Sequence, residues 1–177
     1  PTPDRVSARR PSYSSTVVAG SIGSAHGPAT RTSAFGSSIP ALEIPRGDWS
    51  AYVAASLRRI ARNFPDARRG ADIAFASDLP PASGMSSSSA LSTAVFLAID
   101  AINDLADDPR YRAAIGSRED LAGYLGTIEN GQSFGALEGD LGVGTFGGSE
   151  DHTAILCCRS GMVSRYSFSP VLAEEGG

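Results

Sequence analysis

The most constraining feature of this sequence is a turn rich in Pro, Gly and Ser, Leu79-Pro-Pro-Ala-Ser-Gly-Met-Ser-Ser-Ser-Ser-Ala-Leu91. It follows a short strand-like run at 71–77 and leads into an apolar helical segment, Leu91 to Leu105. Small residues let the backbone approach a ligand closely, and the first turn of a helix carries free N–H groups and partial positive charge. The order strand, turn and buried helix therefore favours binding of an anion such as phosphate.

Serine is also the preferred residue at the start of a helix, so capping is the alternative interpretation of this turn. One serine would indicate nothing more than a cap. Four in succession, Ser86 to Ser89, follow Gly84 and exceed what one cap requires. We therefore favour phosphate binding over capping alone.

Composition excludes several other classes of function. A chain of 177 residues can bury one sizeable core, so we expect one domain. A net charge of −4 provides no basic surface for nucleic acid or an anionic membrane, and the sequence has no apolar run long enough to predict a membrane span. All 15 basic residues are Arg, and the lack of Lys excludes a Walker-type phosphate loop and Schiff-base chemistry.

The two cysteines, Cys157 and Cys158, are adjacent and cannot form a disulfide framework. Because no signal peptide is recognisable either, we expect a cytoplasmic protein. The chain starts at Pro1 rather than Met, which suggests a piece of a longer protein.

Periodicity predicts most of the secondary structure. Residues 1–40 indicate loops, whereas 49–63 predicts a helix that is capped by Asp48 and exposes Arg58, Arg59 and Arg62. The segment 91–105 is apolar nearly all round and predicts a helix packed from several directions. The apolar stripe of the first predicted helix consists of Trp49, Tyr52, Val53, Leu57, Ile60 and Ala61. A capping box at Ser117 to Asp120 predicts the start of a helix that extends to Gln132. A glycine-rich loop at 135–150 follows, and strands are predicted at 153–159 and 162–168 around a turn at Ser160-Gly161.

Two further patterns in the sequence provide only weak evidence for a function. Gly142-Val-Gly-Thr-Phe-Gly147 matches G-x-G-x-x-G, but it follows a helix and opens a strand-like run, so we reject a dinucleotide site. A hydrolase triad is also disfavoured, because neither His26 nor His152 has positional support for that role. We interpret His152 as a structural residue, or as one that supports another site residue, rather than as a general base.

Two acidic positions are candidates for a functional role. Glu129 lies at a predicted helix end and, with the serines, offers the oxygen ligands that Mg²⁺ prefers. Asp151 follows the glycine loop, which would present its carboxylate at a cleft. An exposed helix end and a solvated turn are the alternative interpretations of these two residues.

Together these residues resemble the GHMP kinases. Pro80 to Ala90 is similar to their ATP-binding motif, P-x-x-x-G-L-S-S-S-A, with Met85 in the place of Leu. Trp49 and Tyr52 match a Trp-x-x-Tyr helix of the galactokinases, and Gly148-Ser-Glu-Asp-His152 is similar to their G-I-M-D-Q element. The resemblance covers about residues 45–168.

The resemblance implies an α+β fold, the two-layer amino-terminal domain of a GHMP kinase, of the ribosomal protein S5 domain 2-like type. Residues 45–177 would form this ATP-binding domain after a poorly determined arm at 1–44, with the carboxy-terminal domain absent. It further implies transfer of the γ-phosphate of ATP to a sugar hydroxyl, with Asp151 as the catalytic base, and Ser88 and Glu129 as ligands of Mg²⁺. The implied ATP-binding residues are Pro81, Ser83, Gly84, Met85, Ser86, Ser87, Ser88 and Ser89.

Three departures from the family pattern keep alternatives open. An amino-terminal R-x-N-L-x-G-E-H-x-D-Y element is missing, so a non-catalytic regulator that binds sugar and nucleotide remains an alternative, and this piece alone is expected to be inactive. Glu129 and Asp151 are 22 positions apart, so Glu138 competes with Glu129 as the metal ligand. His152 replaces Gln, which leaves the identity of the sugar open. A kinase of the same family that acts on a non-sugar alcohol such as mevalonate or homoserine is a further alternative, disfavoured by the G-x-x-D-x element. The oligomeric state is not predicted.

Overall fold

The computed structural model describes residues 47–71, 73, 77, 79 and 83–174. The arm at 1–44 lies outside this part of the chain, as does most of the strand predicted at 71–77. A one-turn 3₁₀ helix, Leu105–Asp107, follows the second α-helix. The elements are α1 (Ser50–Asn63), α2 (Ser87–Asn103), α3 (Pro109–Ala114), α4 (Arg118–Asn130), α5 (Glu150–Cys157), β1 (Arg165–Phe168) and β2 (Val171–Glu174).

Side-chain caps at the predicted positions begin α1 and α4. The Asp48 carboxylate accepts hydrogen bonds from the N–H (2.8 Å) and hydroxyl (2.5 Å) of Ser50. At α4, the Ser117 hydroxyl accepts from the Asp120 N–H (3.0 Å), and the Asp120 carboxylate accepts from the Gly116 N–H (3.1 Å). At α4 the two side chains each satisfy a backbone donor at the helix start, as in a capping box, whereas at α1 Asp48 alone accepts. Both predicted helix starts are confirmed.

The core forms where α1 and α2 pack with α4. The ring of Tyr124 on α4 is fully buried and meets Phe64, Phe96 and Phe134 at centroid distances of 6.2, 5.7 and 6.0 Å. These edge-on contacts are the favoured geometry for aromatic rings. The α2 helix is not covered on all sides as predicted, because Ala101 is exposed opposite the buried side.

The prediction that Arg59 faces water is wrong. Its side chain is fully buried, and its guanidinium donates to Asn63 Oδ1 (2.9 Å), Thr127 Oγ1 (3.0 Å) and the Gln132 carbonyl (2.5 Å). It also lies over the Tyr124 ring, 5.4 Å from the centroid. Buried charge is tolerated when it is hydrogen-bonded in this way. Partners on α4 and in the next loop, rather than the periodicity of α1, determine where Arg59 points.

The carboxy-terminal prediction also needs correction. Residues 150–157 form α5, although a strand was predicted from 153, and the hairpin turn does not lie at Ser160-Gly161. Instead β1 pairs antiparallel with β2, with Phe168 opposite Val171, across Ser169-Pro170. Short apolar runs do not distinguish helix from strand, and here α5 buries His152 and Thr153.

A further helix was not predicted. Residues 109–114 form α3, between the helix predicted at 91–105 and the one predicted from Ser117. Proline at the first helical position suits a helix start, and Asp108 accepts a hydrogen bond from the Arg110 N–H (2.7 Å). Local capping therefore nucleates this short helix between the 3₁₀ turn and α4.

The predicted glycine-rich loop is confirmed, and it holds the end of α4. The Val143 N–H donates to the Glu129 carbonyl (2.9 Å). A Cβ at Gly142 would collide with that carbonyl and lie 2.7 Å from the Gly131 nitrogen, so only glycine permits this approach. The architecture is a mixture of helices and a small sheet, which is compatible with α+β. In the described residues, no helix is long and apolar enough to cross a membrane.

Candidate active site

The serine-rich turn enters α2 through two left-handed residues. Gly84 has a φ of 73° and Ser86 a φ of 49°. Ser86 occupies the N-cap position, yet its side chain does not cap α2. Its hydroxyl instead donates to Asp151 Oδ2 (2.5 Å) and lies 3.0 Å from Ser89 Oγ. The first N–H groups of α2 therefore receive no cap from Ser86, which favours an external anion over simple capping.

The carboxylate of Glu129 lies against the same turn. Glu129 is buried near the end of α4, and its Oε1 accepts a hydrogen bond from Ser89 Oγ (3.0 Å). Ser92 Oγ approaches the same oxygen at 3.5 Å, and His152 Nε2 lies 3.3 Å from it. Two elements thus support one carboxylate: α2 through its serines and α5 through His152.

Two neighbouring side chains at the start of α5, Asp151 and His152, point in different directions. Asp151 is exposed in the first helical turn, where the helix dipole stabilises negative charge. His152 is fully buried. Consecutive helical residues point about 100° apart, so one helix directs Asp151 to Ser86 and His152 to Glu129. The aspartate stays accessible to a substrate, while the histidine does not.

A continuous series of contacts joins the predicted parts of the site. It runs from Asp151 to Ser86 to Ser89 to Glu129, with oxygen–oxygen distances of 2.5, 3.0 and 3.0 Å. The outer two contacts join residues that are 65 and 40 positions apart in sequence. The tertiary structure therefore brings together the serine turn and both of the acidic residues that the sequence singled out.

The other predicted residues lie around this series. Ser88 is half-buried in the first turn of α2, and its carbonyl accepts from Ser92 Oγ (3.1 Å). Ser83, Gly84, Met85 and Ser87 are exposed, and Pro81 lies outside the described residues.

The competing carboxylate, Glu138, lies elsewhere. It forms an exposed ion pair with Arg62 at 3.0 Å, and its carbonyl accepts from Asn63 Nδ2 (3.1 Å) at the end of α1. Of the two glutamates, it is Glu129 that contacts the serines in the part of the chain described. The geometry favours Glu129 for a role at the turn.

Sequence reasoning missed the part played by Ser92 and the contact between His152 and Glu129. The signal for the first was present, since Ser86, Ser89 and Ser92 recur every three residues and so share a helix face. The second had no signal, because the loop before α5 determines its approach to α4.

The oxygen ligands present suit a hard cation. Among the described residues, no group of three or more His, Cys, Asp or Glu side chains could hold a metal ion. Glu129 with serine hydroxyls is instead a small oxygen set of the kind that Mg²⁺ uses when water and phosphate complete its shell. The buried side-chain atoms without hydrogen-bond partners in the described part include both ring nitrogens of His152, which lies against Glu129. Such unsatisfied groups are rare in native proteins and fit a site that is completed by a ligand.

Comparison with known proteins identifies the family of this chain. The family model described as "GHMP kinases N terminal domain" matches residues 51–148, more than half of the chain. This chain belongs to the GHMP kinase family. It is 32% identical over 120 residues to a protein named galactokinase from Glaesserella parasuis serovar 5, and 28% identical over 124 residues to a galactokinase from Actinobacillus succinogenes.

These alignments include 67% and 68% of this chain but only 29% of each relative. The chain thus spans less than a third of the length of these curated relatives. No solved structure matches it.

Proposed function

We propose that this protein is an ATP-dependent sugar kinase of the galactokinase type, which transfers the γ-phosphate of ATP to a sugar hydroxyl. The observation that carries the proposal is the series of contacts from Asp151 through Ser86 and Ser89 to Glu129. It joins an uncapped helix start, a buried carboxylate and an exposed carboxylate within one site. The names of the relatives support the choice of a sugar as the acceptor.

Each part has a role in phosphoryl transfer, which depends mainly on positioning and charge neutralisation. The ATP phosphates bind to the turn from Pro81 to Ser89, at the positive end of α2. Ser88 and Glu129 hold Mg²⁺, which neutralises phosphate charge when bound. The backbone amides and the dipole of α2 assist it, so no Lys is required.

Asp151 is proposed as the residue that accepts or orients the proton of the attacking hydroxyl. Its carboxylate is exposed, as contact with a substrate requires, and the Ser86 hydroxyl holds one of its oxygens at 2.5 Å. The other oxygen is then available to the sugar. A positioned carboxylate at this point contributes as a general base.

The proposal extends to the fold and the domain boundaries. We assign residues 45–177 to the ATP-binding domain, a two-layer α+β domain of the ribosomal protein S5 domain 2-like type. The GHMP match over 51–148 supports this assignment, since it begins within α1 and ends just before α5. A cytoplasmic location belongs to the same proposal.

The direct test is ATP consumption by the full-length protein with a panel of hexoses, together with homoserine and mevalonate. Asp151→Asn should lower turnover about 10²- to 10⁴-fold with the preferred sugar, because it removes the proton acceptor. Glu150→Gln is the matched control, since Glu150 is also exposed in the first turn of α5. That variant should retain wild-type turnover.

Unchanged turnover in Asp151→Asn would remove Asp151 from its role. Turnover with homoserine or mevalonate but with no hexose would replace the sugar by another alcohol. Binding of ATP and sugar without turnover by the wild type would identify a non-catalytic regulator instead.

A further inference from the structure

The contacts of Glu129 are concentrated on one of its two carboxylate oxygens. Ser89 Oγ, Ser92 Oγ and His152 Nε2 approach Oε1 at 3.0, 3.5 and 3.3 Å. None of the contacts between described residues uses Oε2. A carboxylate that is held through one oxygen keeps a fixed orientation and leaves the other oxygen free for a ligand.

His152 is the unusual member of this group. It is 1% exposed, and neither ring nitrogen has a hydrogen-bond partner within the described residues. The 3.3 Å separation from Glu129 Oε1 is short enough for an interaction, although its angles are not those of a hydrogen bond. An unpaired buried donor is costly, and contacts at active sites are often loose until the ligand is bound. A small rotation of either side chain would complete this bond.

Burial also excludes another role for His152. A side chain that is 1% exposed cannot contact a sugar, so its replacement of Gln does not act on the sugar by direct contact. The imidazole ring of His152 lies on α5 and contacts the Glu129 carboxylate through Nε2.

We propose that His152 is a positioning residue for Glu129: its imidazole donates from Nε2 to Oε1 and leaves Oε2 available to a metal ion. Ser89 and Ser92 assist on the same oxygen, from α2. Groups that orient a ligating carboxylate raise metal affinity without touching the metal. Because α5 carries both His152 and Asp151, one helix sets the metal ligand and the base together. This inference rests on the proposed function, in which Glu129 binds Mg²⁺.

The experiment measures Mn²⁺ binding to the full-length protein by electron paramagnetic resonance, in the presence of a non-hydrolysable ATP analogue. His152→Gln and His152→Met have nearly the same shape, and the terminal amide gives the Gln variant N–H donors that the Met variant lacks. The Met variant should bind Mn²⁺ about 10-fold or more weakly than wild type, and the Gln variant within about threefold of it. Thr153→Val is the control, because Thr153 is equally buried on α5 but bonds to the Ser149 carbonyl (2.7 Å).

Equal Mn²⁺ affinity in the Gln and Met variants would overturn the proposal, since the donor would then have no effect. Weakening by Thr153→Val to the same extent as by His152→Met would also overturn it, in favour of general packing. A wild-type protein without Mn²⁺ binding would overturn the proposed function itself. If the wild-type protein binds Mn²⁺ and the Glu129→Ala variant does not, Glu129 is supported as the metal ligand. That result is independent of the His152 variants, which test only the positioning role of His152.

A second measurement needs no variant and so does not depend on folding of the mutants. Nitrogen-15 NMR of the wild-type imidazole should show a proton on Nε2. A proton on Nδ1 with a bare Nε2 would overturn the proposal, because no donor would then face Glu129.

Discussion

Two polar clusters lie against α4, and they differ in how completely their hydrogen bonds are formed. In the first, Arg59, Asn63, Tyr124 and Thr127 join α1 to α4, and the buried side-chain polar atoms of these four residues all have partners. In the second, Glu129 contacts Ser89, Ser92 and His152, and both ring nitrogens of His152 lack hydrogen-bond partners within the described residues. The Arg59 cluster is closed, whereas the Glu129 cluster is open.

The difference separates stability from function. A fully bonded buried network fixes a fold, because each lost partner leaves a costly unsatisfied group. Burial lowers the pKa of Arg59 and raises the pKa of Tyr124, whose phenol therefore stays neutral and donates to Asn63 (2.8 Å). The open cluster retains unused donors and acceptors, as expected of a site that a ligand completes. Substitutions in the two clusters should therefore affect different measurements.

The largest effect on stability is expected from Arg59→Met. The change leaves acceptors on Asn63, Thr127 and Gln132 without their buried donor, so the free energy of unfolding should fall by about 3 kcal/mol. Urea denaturation of the full-length protein measures it. Arg62→Met is the control, because its ion pair with Glu138 is exposed and should contribute less than about 1 kcal/mol. Equal losses of unfolding free energy in Arg59→Met and Arg62→Met would contradict the conclusion that the hydrogen bonds of the Arg59 cluster stabilise the fold.

Gly142→Ala should affect both clusters, and it ranks second. The added Cβ would collide with the Glu129 carbonyl, so the loop must shift, at a cost of about 2 kcal/mol in unfolding free energy. The shift should also weaken ATP binding, since it moves the end of α4. Gly147→Ala provides the comparison, because a Cβ there meets no atom within 4 Å. Loss of stability with unchanged ATP affinity would show that the loop does not position Glu129.

Ser88→Ala should change function without changing stability. Removal of a hydroxyl that binds Mg²⁺ should weaken Mg²⁺–ATP binding about tenfold, which corresponds to about 1.4 kcal/mol. Calorimetric titration measures the affinity, and thermal unfolding checks that the melting temperature is retained. Ser160→Ala is the control, since Ser160 is also exposed but lies outside the serine-rich turn. Unaffected binding in Ser88→Ala would contradict the proposed ligand.

The smallest effect is expected where the glycine-rich loop meets α1. Burial alone would raise the pKa of Asp140, but hydrogen bonds from Arg58 (2.9 Å) and from its neighbour's N–H outweigh it, and the pKa lies below its usual value. A lowered pKa means that this carboxylate stabilises the fold above about pH 4, the unfolded value. The contribution is lost as pH falls through the lower, folded value.

Asp140→Asn should therefore cost about 1 kcal/mol of unfolding free energy at pH 7, in the range of a partly exposed pair. The difference from wild type should shrink as the pH falls below about 4. Urea denaturation at pH 7 and pH 3 measures both, with Glu138→Gln as the exposed control. A difference that grows at low pH would contradict the role of the Arg58 ion pair.

Local sequence signals predicted the elements whose ends they cap. Asp48, Ser117 and Asp120 act over a few residues, so α1 and α4 begin where expected. The α2 helix follows from its apolar content, although it begins at Ser87, before the predicted Leu91. The glycine-rich loop was also predictable from local sequence, because glycine lacks the side chain that favours regular structure.

Long-range contacts determined the rest. The run after Ser149 could form a helix or a strand, and burial of His152 and Thr153 makes it a helix. Helical periodicity predicted Arg59 at the surface, but its guanidinium donates to Thr127 on α4 and is buried there.

For the site, the sequence by itself determined the chemical groups: a serine-rich helix start and two carboxylates. Only the tertiary structure decided that they meet, and that Ser86, Ser89 and His152 make the connections. The physical reason is distance along the chain. Capping and periodicity act within a few residues, whereas these contacts join residues 40 and 65 positions apart, where packing of α2, α4 and α5 sets the geometry.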